Sequence, residues 1–133
     1  MVPKSLKKNN KLPLEPRWKR AEKNAQRVLK EKFGQKFKKD KIIVGKPREF
    51  DLVSSDKSII VQVKSSKGFE SQDSAQHRVR FAECMLDYIL LEKADAKKKI
   101  FVIADKPLYD FFIKESIGLI TDNVEVMLIE LKE

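Results

Sequence analysis

Six consecutive residues, Ile59-Ile60-Val61-Gln62-Val63-Lys64, constrain this chain most. β-Branched side chains lose rotamer freedom in a helix and pack well on a pleated surface, so the run predicts a strand. Before it comes Ser54-Ser55-Asp56-Lys57, which reads as a tight polar turn, and before that a second apolar run, Phe50–Val53. Two strands joined by so short a turn pair antiparallel. Ile42–Val44 is a further β-branched segment, broken by Gly45 and Pro47.

The flanking segments have a different period. Trp18, Ala21, Ala25, Val28, Leu29 and Phe33 recur at helical spacing, with Pro16 in the first turn and Gly34 as the stop. This places Trp18 in the core beside Ala21 and Ala25, with stacking on a nucleobase as the alternative. Ser65 to Ser74 reads as a polar loop. Ala75 to about Ala94 is an amphipathic helix, Ile100–Ala104 a buried strand, Tyr109–Glu115 a short helix and Val124–Leu131 a last strand. The order is helix, three strands, helix, strand, helix, strand. It predicts an α/β domain with a mixed sheet and helices on its faces. Residues 1–14 read as a flexible basic tail and 15–133 as a single domain, with no internal repeat.

Composition narrows the function classes. Hydrophobic residues are 41% of the 133, enough for a core, so wholesale disorder is excluded. No apolar run approaches the roughly 18 residues of a membrane span. Met1 to Pro16 is basic and lacks a hydrophobic stretch, unlike a secretory signal, so an intracellular, cytoplasmic protein is expected. A single cysteine, Cys84, and a single histidine, His77, leave no material for a disulfide framework or a Cys/His metal centre. The net charge of +9 is regional: residues 1–48 hold 17 basic and 4 acidic residues, residues 49–133 hold 12 and 16. A basic cluster of this size points to a phosphate backbone, with a lysine-rich solvated surface as the plainer alternative.

Chemistry concentrates at the strand ends. Alternation puts Gln62 and Lys64 on one face and brings Asp51 near Gln62 across the hairpin. An Asp and a Lys half-buried together must be paired or hold a metal. Oxygens from Asp51, Gln62 and the Val63 backbone carbonyl would suit Mg²⁺, with Lys64 beside the reacting phosphate. An ordinary Asp51–Lys64 salt bridge would account for the same residues.

The stretch Phe50-Asp51-Leu52-Val53 … Ile60-Val61-Gln62-Val63-Lys64 resembles the core motif of the PD-(D/E)xK nuclease superfamily, which includes restriction endonucleases, Holliday-junction resolvases and Mrr-type enzymes. The resemblance covers roughly residues 17–104 and leaves Asp105–Leu131 peripheral. It implies a restriction-endonuclease-like αβββαβ core. Asp51 matches the first carboxylate, Gln62 the variable ligand and Lys64 the lysine. Glu22 matches the Glu that many members carry on the preceding helix, better than Glu31 does. Gln62 replaces the commoner acidic ligand, as in the Mrr-like group, and Pro47 lies four residues before Asp51, with Glu49 between. The implied activity is Mg²⁺- or Mn²⁺-dependent DNA hydrolysis, with Asp51, Gln62, Val63 and Glu22 at the metal and Lys64 stabilising the transition state.

The remaining assignments follow from charge and, for Ser65, Ser66, Lys67 and Gln76, from what the resemblance implies, with a polar loop as the alternative for Ser65–Lys67. Arg17, Lys19, Lys23 and Arg27 would grip a nucleic-acid backbone, as would Ser65, Ser66 and Lys67 after the motif and Gln76 and Arg78 at the next helix N-terminus. Cys84 and His77 are read as packing and surface residues. A homodimer is expected, because cutting two strands needs two sites. The alternatives are an inactive nucleic-acid-binding protein of the same fold, or a small basic accessory protein.

Overall fold

The computed structural model describes residues 15–68 and 74–132. It is an α/β structure with one five-stranded mixed sheet. Helix α1 (Arg17–Phe33) precedes strands β1 (Phe37–Val44), β2 (Lys46–Ser54) and β3 (Ile59–Lys64). Helix α2 (Ser74–Lys93), strand β4 (Lys98–Ile103), helix α3 (Lys106–Glu115) and strand β5 (Glu125–Leu128) complete the order. The strands lie side by side in chain order. β1, β2 and β3 form an antiparallel meander, whereas β3, β4 and β5 run parallel, joined through α2 and α3.

The pattern of burial explains the layering. A parallel strand covered on both faces needs apolar side chains in both directions, and Ile59, Ile60, Val61, Ile100, Phe101, Val102 and Ile103 are all buried. On one face, Ala25 and Leu29 of α1 pack with Phe37, Leu52, Val61, Ile100 and Val102. On the other, Cys84, Tyr88 and Leu91 of α2 join Phe50, Ile60, Phe101, Leu108 and Phe112. Burial raises the Cys84 thiol to about 12, so it stays a protonated packing group. α1 ends where Gly34, in the left-handed region at φ 68°, donates its N–H to the Lys30 carbonyl.

Several expectations are corrected. β1 begins at Phe37 rather than Ile42. Pro47 lies inside β2, opposite Ile43, and only Gly45 makes the turn, at φ 74°. The paired register of β2 with β3 reaches only Leu52 and Val53, so the Pro47 end of β2 extends beyond that ladder and its missing N–H goes unneeded there. The segment after Asp105 is not peripheral: Leu108 and Phe112 are fully buried and β5 pairs with β4. His77 is half-buried against the edge of Phe111 at 5.6 Å. The tail 1–14 lies outside the described residues. Among the described residues no helix is long and apolar enough to cross a membrane.

The β2–β3 turn is built around one carboxylate. Asp56 accepts from Ser54 Oγ at 2.9 Å, Ser58 N at 2.9 Å and Ser58 Oγ at 2.6 Å. The Ser58 hydrogen bonds, first among several, hold its pKa down to about 2. A carboxylate depressed by folding stabilises the fold above its ordinary pKa near 3.8 and loses that contribution as pH falls toward 2. Asp56→Asn should therefore lower Tm by a few degrees at pH 7, with the gap to wild type closing between pH 4 and pH 2 in melts followed by circular dichroism.

Candidate functional site

The site begins with an irregularity in β2. Lys38 pairs with Val53 and Asp40 with Phe50, so Lys39 alone opposes Asp51 and Leu52. Two residues against one is a β-bulge, which re-aims side chains. Here it turns Leu52 into the α1-side core, between Phe50 and Val53 on the α2 side. Asp51 lines the same cleft as Glu22 of α1.

Beyond Leu52 the β2–β3 ladder gives way to side-chain bonds. The Gln62 amide oxygen accepts from the Asp51 N–H at 3.0 Å, and Asp51 Oδ2 accepts from the Val63 N–H at 2.8 Å. Asp51 and Gln62 thus meet across the hairpin, as alternation predicts. The N–H and C=O of one strand residue point to the same edge, so the Val63 carbonyl faces this gap too.

Two charged groups flank the gap. The first is a carboxyl pair, Glu22 and Asp51, close enough that each shifts the other's pKa. Burial, then the charge of Asp51, raises Glu22 above the usual carboxyl range. Burial also raises Asp51, against the lowering effects of the Val63 N–H and Lys39. The Lys39 ammonium stands 3.8 Å from Glu22 Oε1.

The second group belongs to β3 and α2. Lys64 Nζ lies 3.1 Å from Glu83 Oε1, which Arg80 also contacts at 3.0 Å. The Lys64 ammonium therefore pairs with Glu83, where the sequence suggested Asp51. Burial opposes ionisation of Glu83, but Lys64 and Arg80 hold its carboxyl below the ordinary range. Asp87, one turn on, is pushed up to about 6 by burial, with Asp51 and Glu83 adding to the rise and Lys64 opposing it.

A basic groove adjoins the pair. A cleft of about 620 Å³ between α1 and β1 is lined by Lys23, Arg27, Lys30, Lys36 and Lys38, and none of its lining residues is acidic. It shares Lys23, Gln26 and Lys38 with a smaller cleft of about 300 Å³ that contains Glu22 and Asp51. The cations therefore run up to the carboxyl pair.

The other expected contacts divide. Lys19 and Lys23 lie at the clefts, with Glu15 3.8 Å and 2.6 Å away, and Arg27 donates to Asn24. Arg17 is turned into the fold: its Nε donates to the Ser65 carbonyl at 2.6 Å and its guanidinium lies 3.8 Å from Asp105. Those contacts pin the strap that follows Lys64. Gly68 completes it, because an added Cβ would sit 2.5 Å from Pro107 Cβ. Ser66 is half-buried in the strap and Lys67 is exposed. Gln76 and Arg78 are exposed on the first turns of α2, and Glu31 and Glu49 are exposed.

Trp18 is the clearest misassignment: half of it is exposed. It continues the Ala21–Ala25 line, but the wall beneath it is Lys38, Lys39 and Asp51 with Leu52, not closed apolar surface. Sequence reasoning also passed over Lys36, Lys38, Lys39, Glu83 and Asp87. Arg80, Glu83 and Asp87 recur at helical spacing along α2, a polar stripe that was legible.

Among the described residues no three His, Cys, Asp or Glu side chains gather to hold a metal ion. The oxygens at the gap nevertheless match a hard cation in kind: two carboxyls, an amide and a backbone carbonyl. Mg²⁺ commonly takes one or two protein carboxylates and completes its shell with water and phosphate. No protein-family model matches the chain, and no curated protein or solved structure matches it.

The raised Asp87 pKa gives a stability test. A carboxyl whose pKa rises on folding is penalised when ionised, so the cost is present above pH 6 and vanishes as pH falls through 6 and below. Asp87→Asn should stabilise the protein at pH 8 by on the order of 2 kcal/mol, and the gain should disappear by pH 4 in urea unfolding at the two pH values.

Proposed function

We propose that this protein is a metal-dependent DNA endonuclease of restriction-endonuclease-like fold, similar to the PD-(D/E)xK superfamily. One observation carries the reading: the Glu22–Asp51 carboxyl pair lies where a cation-lined groove meets the gap between β2 and β3. The order α1-β1-β2-β3-α2-β4 supports it, being the αβββαβ arrangement the motif resemblance implies.

In this reading the groove residues Lys23, Arg27, Lys30, Lys36 and Lys38 hold the phosphate backbone, an attraction that salt weakens. Glu22, Asp51, the Gln62 amide oxygen and the Val63 carbonyl hold Mg²⁺ or Mn²⁺. Bound there, the cation supplies a Lewis acid for the phosphate and eases deprotonation of the attacking water. The Asp51 backbone N–H fixes the Gln62 amide, so its oxygen is identified and oriented. Lys64 has three N–H donors, of which Glu83 takes one, and the rest are available to charge building on the phosphate. Glu83 and Asp87 position that ammonium.

Cleavage of supercoiled plasmid and of branched DNA tests the reading. Nicking should require Mg²⁺ or Mn²⁺ and stop with chelator. Asp51→Asn and Lys64→Ala should each slow it by roughly 100-fold or more. Salt-sensitive DNA binding without nicking by wild type would instead mark an inactive binding protein of this architecture. Equal nicking by wild type and both variants would remove the site assignment.

We also propose that the protein acts as a homodimer. Val79, Ala82, Leu86 and Ile89 form an exposed stripe on α2 at alternating spacings of three and four, with Val79 54% and Leu86 59% exposed. That spacing is the seam of a helix pair, and Arg78 and Glu92 flank its two ends, so an antiparallel copy sets opposite charges across it. Light scattering should give a dimer for wild type and a monomer for Leu86→Glu.

A further inference from the structure

The cleft that holds Glu22 and Asp51 has an aromatic wall that the hydrolytic reading does not use. Trp18, the only tryptophan in the chain, is 50% exposed there. The Lys39 ammonium stands 5.6 Å from its ring centroid and 3.8 Å from Glu22. One cation thus bridges an indole face and the carboxyl pair. An exposed tryptophan forfeits the burial that usually stabilises so large a side chain, and the cation above it replaces little of that.

The dimensions and chemistry of the cleft suit one nucleotide. Cations gather on its rim, at Lys19, Lys23 and Lys38, and the flat apolar face lies within the same 300 Å³ as the carboxyls. A phosphate drawn to the cations puts its own base within reach of the indole. In an intact duplex that base is stacked inside the helix, and a side chain at the level of the phosphates cannot meet its face. An unpaired base can meet it.

We propose that Trp18 is a stacking platform for one unpaired nucleobase beside the reacting phosphate, so that the protein favours DNA with a single-stranded nucleotide at the site over continuous duplex. Lys39 would release the indole to the base and turn to the incoming phosphate. This inference rests on the DNA reading above and adds specificity to it.

Two readouts on the full-length protein separate the two claims. Anisotropy of fluorescein-labelled DNA reports binding, and emission of Trp18 with the same unlabelled DNA reports stacking. The probes are an oligodeoxythymidylate and a blunt hairpin duplex of equal charge. Wild type should bind the single strand more tightly than the duplex, with quenching of Trp18 emission by the single strand only. Trp18→Ala should weaken single-strand binding roughly tenfold or more and leave duplex binding unchanged, which also reports that the variant is folded. Trp18→Phe should keep most of the single-strand affinity. Salt-sensitive binding with unquenched emission, or with equal single-strand affinity in Trp18→Ala, would overturn the stacking role and leave the DNA reading standing. No binding of either probe would overturn both.

Discussion

Where β2 and β3 stop pairing through their backbones, Asp51 and Gln62 take over. The Gln62 amide accepts the Asp51 N–H, and the Asp51 carboxylate accepts the Val63 N–H. A strand pair that opens exposes backbone groups, and buried ones must find partners. Two side chains supply them here, so the gap persists without stranded donors. The bulge at Asp51 and Leu52 lies where this opening begins, and it keeps Leu52 on the α1 side of the sheet. The carboxyl pair and the Val63 backbone stand at that opening.

The arrangement is held at a cost. Glu22 and Asp51 are both raised in pKa, and Asp87 is raised on the other side of the gap. Like charges gathered in partial burial destabilise a fold, and such clusters concentrate where a protein binds or reacts. The rest of the molecule is built to support it. The inner strands β3 and β4 are apolar and covered on both faces. The Arg17–Ser65–Asp105 contacts and the close approach of Gly68 to Pro107 tie down the chain just after Lys64. The carboxyl cluster therefore stands on a packed frame at one end of the sheet.

How much was legible varies with the range of the interaction. The alternation Ile59 to Lys64 and the short turn before it placed Gln62 opposite Asp51, and helical spacing placed Ala21, Ala25 and Leu29 inward. These depend on local period alone. The partner of Lys64 did not emerge, because Glu83 is 19 residues away on another element and any nearby carboxylate would have satisfied the same charge. Trp18 fell on the apolar line of α1, yet periodicity reports only which way a side chain points and not what waits there. Arg17 looked like its neighbouring cations until the Ser65 carbonyl and Asp105 claimed it.

Sequence alone determined the α/β class, the order of elements, the antiparallel hairpin carrying Asp51 and Gln62, and the concentration of positive charge before residue 49. Those properties follow from side-chain period, turn chemistry and charge counts, which act over a few residues. Tertiary structure decided the bulge that re-aims Leu52, the pairing of Lys64 with Glu83, the place of α3 and β5 in the core, and the exposure of Trp18 at the carboxyl cleft. Each of these depends on which distant groups share a small volume. There, burial and the need to satisfy every buried polar atom choose among partners that are chemically equivalent in the sequence.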